Sequence, residues 1–159
     1  MKRSLLWSAK HVALGLLLVS TLISAVEAGD RKFYLTKDSF TGSQALTACA
    51  KGFHMASLWE ILNVSTLLYK PKRGLTQDDS GSGPPAYANG WIRTGYFAFA
   101  DSSVGSGNCN AWTSGDSGDY GTFVWLSPAW EDGSLTVSPW KGAVSSCDTT
   151  LPVWCVSGK

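Results

Sequence analysis

His54 is the side chain in this sequence best suited to acid–base chemistry, since the other histidine, His11, lies in a basic and apolar N-terminal stretch. A serine triad would need such an imidazole held by an acid and set against a presented serine. No Gly-x-Ser-x-Gly elbow is present to offer that serine. His54 sits between Phe53 and Met55, a setting that suits a structural histidine equally well. Glu60, Asp101, Glu131 and Asp132 are acids that a glycosidase pair would draw on. Such pairs work because their pKa values are pushed apart, and no spacing here couples any two. The glycines follow no strand-to-helix pattern that grips phosphate. One histidine beyond the N-terminal stretch does not make a histidine-based metal site. Asp78 and Asp79, or Asp116 and Asp119, could contribute to a calcium site. Calcium commonly takes about six to eight oxygens, however, and these pairs read as solvated turns. The sequence therefore predicts no enzyme, no cofactor and no metal.

The cysteines point to a covalent framework instead. Cys49, Cys109, Cys147 and Cys155 are the four cysteines, none of them closely spaced like a zinc knuckle. An even number in an exported chain implies two disulfides, with three pairings open. Seven of the eight tryptophans lie beyond residue 28. A small domain uses large rings to build its core, so most of them are expected inside. Trp112, Trp130 and Trp140 stand in or beside the polar loops and, with Lys141, are the candidate ligand-contact residues. Aromatics are effective anchors because they bury much area at low entropic cost.

Export is read from the N-terminal segment. Lys2, Arg3 and Lys10 precede an apolar run from Val12 to Ile23 that ends in small residues. Residues 1–28 are expected to be a signal peptide cleaved after Ala28, with Ala25 as the alternative. The apolar run is shorter than the roughly 20 residues of a spanning helix. Without Lys2, Arg3, Lys10 and Glu27, the thirteen basic and twelve acidic residues fall to ten and eleven. That balance gives no long-range attraction for nucleic acid or anionic lipid. Lys70, Lys72 and Arg73 are the nearest approach to a basic patch, and read as an ordinary solvated turn.

Residues 29–159 are expected to form one domain that positions these side chains. Residues 32–36 read as a first strand. Residues 39–50 read as a helix whose apolar stripe carries Ala45, Leu46, Cys49 and Ala50, with Gly52 placed to end it. A second helix begins at Ser57, where Ser57 and Glu60 form a capping box, and its apolar face runs through Leu58, Ile61 and Leu62 to Leu67 and Leu68. Asn63-Val64-Ser65 matches the N-glycosylation pattern, but its helical setting argues against use. Residues 69–90 form a long loop rich in glycine and proline. A strand pattern resumes at Trp91-Ile92-Arg93-Thr94-Gly95. A second polar segment spans 101–121. Strand-like pieces follow at 122–126, 135–137 and 151–156, with Trp140 between the last two. Pro139 and Pro152 suit edges or strand starts. Helices early and short strands late predict an α+β fold.

These features together resemble the C-type-lectin-like fold. Cys49, the run Gly52-Phe53-His54-Met55-Ala56-Ser57-Leu58 and Glu60 resemble that family's segment between first and second helices. Trp91-Ile92-Arg93-Thr94-Gly95 is similar to its Trp-Ile-Gly strand, and Val153-Trp154-Cys155-Val156 to its terminal strand. Bacterial exported domains of this broad type, rich in Gly, Ser and Trp, are similar in character. The resemblance implies short antiparallel strands, long Gly-rich loops, and bridges Cys49–Cys155 and Cys109–Cys147. Sugar-binding members carry Glu-Pro-Asn or Gln-Pro-Asp and Trp-Asn-Asp motifs, which this chain lacks. Ser138-Pro139-Trp140-Lys141 stands near the later of these, and Lys141 there supplies a donor and no metal ligand.

The function expected is therefore an exported recognition module, secreted, periplasmic or at the cell surface. Its partner would be a glycan or protein bound without calcium, not nucleic acid. After processing it would not be an integral membrane protein. The alternative is a structural or surface-associated protein with no small-molecule ligand. Burial of the nominated tryptophans, with no groove elsewhere, would favour that alternative.

Overall fold

The computed structural model describes residues 31–77, 81–94, 107–127 and 139–158. The expected signal peptide, Trp130 and the strand-like 135–137 piece lie outside the described residues, as do Asp78, Asp79, Asp101, Glu131 and Asp132.

Strand β1 (Arg31–Leu35) starts one residue before the expected position. Phe33, Tyr34 and Leu35 are all buried, so both faces of this strand are covered. It pairs antiparallel with β7 (Trp154–Ser157), which pairs antiparallel with β2 (Phe53–Met55). On its other side β1 pairs with β3 (Leu67–Tyr69), and this pair is parallel, an exception to the antiparallel expectation. The sheet order is β2-β7-β1-β3, which makes β3 an edge. A second, antiparallel sheet has the order β4 (Gly90–Trp91), β5 (Tyr120–Leu126), β6 (Trp140–Ser146). A bridge between Trp91 and Val153 links the two sheets.

The core is aromatic. Trp154 stacks on Phe33 at 6.0 Å and meets Trp140 edge-on at 5.0 Å. Trp91 meets Trp112 edge-on at 5.8 Å. Each of these indoles donates its N–H to a backbone carbonyl: Trp154 to Val124, Trp140 to Ile61, Trp91 to Phe40 and Trp112 to Arg93. The polar end of each ring is thus satisfied inside the protein.

Both early helices exist but are single turns. Helix α1 is Gly42–Ala45, not 39–50. Ala45 is buried while Leu46 is exposed, so the expected apolar stripe ends after one residue. The Ala50 N–H is taken by the Tyr34 hydroxyl at 2.7 Å, which draws the chain away from a helix. Gly52 adopts φ +85°, a turn that glycine accepts without strain. Helix α2 (Leu58–Ile61) starts where its capping box predicts. It stops early because Asn63 accepts from the Ser65 N–H and caps a 3₁₀ turn, Val64–Thr66. Leu67 and Leu68, expected on the helix, are strand residues paired to β1. Trp140, expected between strands, opens β6, whose seven residues pair with β5 throughout.

Cys109–Trp112 forms one left-handed turn, with φ between 50° and 64° at all four residues. Disulfides join Cys49 to Cys155 and Cys109 to Cys147, the pairs that the resemblance implies. The architecture is therefore α+β, with two sheets, little helix and two bridges. Among the described residues no helix is long and apolar enough to cross a membrane.

Candidate functional site

Two of the nominated contact residues belong to the interior. Trp112 and Trp140 are 4% and 5% exposed, and both rings pack on other core tryptophans. Buried rings whose N–H groups are bonded to backbone present little surface to a ligand at these two positions. Lys141 is exposed on β6, in register with the half-buried Trp125. Trp125 stacks on Phe123 at 5.7 Å. Trp130 lies outside the described residues.

The most exposed tryptophan among the described residues is Trp59, at 77%. It occupies the outer side of α2, because Ile61 is the buried residue of that turn. The signal was present in the sequence. If Leu58, Ile61 and Leu62 define the inward face, Trp59 falls off it.

Next to Trp59 in the chain, Glu60 gathers a polar cluster. Its Oε1 accepts from Arg31 at 2.8 Å and contacts His54 Nε2 at 2.9 Å. Its Oε2 accepts from the Ser57 N–H and hydroxyl, each at 2.9 Å. Burial alone would raise this carboxyl's pKa. The hydrogen bonds from Arg31, Ser57 and His54 outweigh it and hold the group at about 2. The cluster ties β1, β2 and α2 together. It leaves His54 bound to a carboxylate that already has three other donors, which is a brace more than a poised base.

A concave feature of the described surface lies elsewhere. An apolar cleft of about 570 Å³ runs beside the edge strand β3. Leu67, Leu68 and Tyr69 all line it, with Phe33 from β1. Pro71, the 82–86 segment, and Leu126 with Pro139 at the adjoining ends of β5 and β6 complete the walls. Ser82 and Ser127 are the small polar residues of a mostly apolar lining. Leu68 is 46% exposed, large for a leucine with an apolar surface beside it.

Tyr69 fixes the cleft's shape. Its hydroxyl donates to the Leu75 carbonyl and accepts from the Leu35 N–H, which pins the turn after β3 against β1. Burial pushes this phenol to about 12 despite the Leu35 hydrogen bond, so it is a permanent donor and not an acid. None of Trp112, Trp140 and Lys141 lines the cleft. Sequence reasoning missed it because its walls come from segments far apart in the chain.

Asp116 and Asp119 lie in one tight turn, where the Asp119 N–H donates to the Asp116 carbonyl. Among the described residues no group of three or more His, Cys, Asp or Glu side chains could hold a metal ion. No family model, no curated protein and no solved structure matches this chain.

Proposed function

We propose that the protein is an exported recognition module of C-type-lectin-like type, whose apolar cleft beside β3 takes an extracellular or cell-envelope ligand without calcium. The cleft carries this reading. Its volume, about 570 Å³, falls within the roughly 300–1,000 Å³ of ligand sites, and it has the usual character of such sites, apolar walls with a few polar groups. Pairing of the first described strand with the last, and bridges from Cys49 to Cys155 and Cys109 to Cys147, support the lectin-like resemblance. The two bridges fit an oxidising compartment, and so support secretion or a periplasmic or cell-surface location. The reading is binding and not catalysis, because His54 and Glu60 are engaged with each other and with Arg31.

A structural role without a small ligand is the second reading. The burial of Trp112 and Trp140 meets one of its two conditions, and the cleft beside β3 fails the other. A screen of the oxidised, processed protein against glycans, envelope polymers and envelope proteins separates the two. It is run with calcium and with chelator, beside the variants Leu68→Glu and Trp59→Ala. Both residues are exposed, so both variants should fold. The expected result is a hit that survives chelator and weakens about tenfold or more in Leu68→Glu, roughly 1.4 kcal/mol. A hit lost only in Trp59→Ala would move the site to α2. A hit abolished by chelator would overturn the calcium-free reading, and no hit at all would leave the structural role.

A further inference from the structure

Three successive residues of one strand line the same cleft, although side chains on a strand alternate between faces. Because Phe33 of β1, in register with Tyr69, lines it as well, the cleft covers that face of the β1–β3 pair and reaches Leu68 around the strand's edge. β3 is the edge strand of its sheet. Its backbone orientation follows from the pairing with β1. The Lys70 N–H donates to the Phe33 carbonyl at 3.0 Å, so Lys70, and Leu68 two residues before it, direct their backbone groups toward β1. Leu67 and Tyr69 then direct theirs away from the sheet. The Leu67 N–H is taken by Val64 within the 3₁₀ turn. The Tyr69 N–H and the carbonyls of Leu67 and Tyr69 are left facing away from the sheet, on the side where the cleft runs.

A strand edge that pairs with no described strand, beside an apolar trough, suits one kind of occupant. An extended peptide satisfies the edge through its backbone and fills the trough with alternate side chains. An acyl chain would fill the trough but leave the edge groups without partners, at a cost of about 1–3 kcal/mol for each one desolvated. Charge adds a preference. The turn that supplies Pro71 to the cleft also carries Lys70, Lys72 and Arg73. Arg73 lies over the Phe53 ring, 5.6 Å from its centroid, so Lys70 and Lys72 are the cations of this turn outside that contact. We propose that the cleft receives an extended, acidic-flanked peptide segment of a partner protein, which adds as a further strand on β3. This rests on the recognition reading above and names the ligand class of that site. Three residues of β3 span about 10 Å, so three to four partner residues would pair.

The test uses the capped peptide acetyl-Glu-Val-Thr-Val-Glu-amide and the oxidised, processed protein labelled with ¹⁵N. Saturable binding is expected, with shifts at the Leu67 and Tyr69 amides. N-methylation of single peptide nitrogens should then alternate in effect: about tenfold weaker binding where the methyl blocks a donor to β3, and little change at the neighbouring nitrogen. Lys70→Gln with Lys72→Gln should weaken binding and flatten its salt dependence. Dodecanoate serves as the competing probe. If dodecanoate binds in the cleft and the peptide does not, or if N-methylation acts equally at every position, strand addition is wrong while recognition at the cleft stands. If envelope ligands, peptide and dodecanoate all fail to bind, both readings fall.

Discussion

Glu60 is the side chain through which β1, β2 and α2 are held together, and its protonation should be visible in stability. The carboxyl sits at about 2 in the fold against an ordinary 4.5. Between those values the unfolded chain binds more protons than the folded one. Stability from this group is therefore complete above about pH 4.5 and is lost as pH falls toward 2. Glu60→Gln should cost about 1 kcal/mol at neutral pH, a modest figure because the group is partly exposed. Urea unfolding of both proteins across this range should show the gap closing at the acid end; a constant gap would mean that the cluster's charge is irrelevant. The same scale shows what could be read from residue identity. The Ser57–Glu60 capping box was legible, because both partners lie within one turn. The roles of the tryptophans were not. Trp112 and Trp140 are interior because Trp91 and Trp154 pack on them, and those neighbours are brought from elsewhere in the chain.

Elements show the same division between local and distant causes. The end of α2 was misjudged because Leu67 and Leu68 look helical in spacing until β1 offers them a partner. β6 was missed because Trp140 to Ser146, with Gly142 and Ala143 in its middle, has little strand character of its own, and its long pairing with β5 decides the matter. The Cys109–Trp112 turn had no sequence signal at all. L-residues in left-handed geometry cost about 1–2 kcal/mol each, and this turn contains four of them. It is held from outside: the Cys109 bridge, the Trp112 indole on the Arg93 carbonyl, and the Asn108 side chain accepting from the Ala111 N–H. Ala111 is exposed with φ +58°. Ala111→Gly should therefore stabilise the protein, by about 0.5–1 kcal/mol, against the usual direction of such a change. A denaturation midpoint that fell would contradict the left-handed turn.

For the molecule as a whole, the α+β class and the two bridges were legible because cysteine count and strand-like segments are properties of the sequence. The cleft was not, because it exists only where β3, the 82–86 segment and the ends of β5 and β6 meet. The two bridges also differ in reach, spanning 106 and 38 residues. On chain entropy alone, replacing Cys49 and Cys155 by Ala should cost about 0.9 kcal/mol more than replacing Cys109 and Cys147. Urea midpoints of the two double variants measure this. The reverse order would mean that support of the left-handed turn outweighs loop length. The longer bridge has a mechanical side as well. Arg31 and Ser157 lie together at one end of the antiparallel β1–β7 pair, where the Arg31 guanidinium donates to the Ser157 carbonyl. Tension applied at those two points would peel the strands apart bond by bond, a yielding mode that begins at low load. The peel would meet the bridge at Cys155 almost at once, and force would then pass through sulfur to Cys49. Only the chain from Arg31 to Cys49 could pay out, and the rest of the fold would stay slack behind a covalent stop.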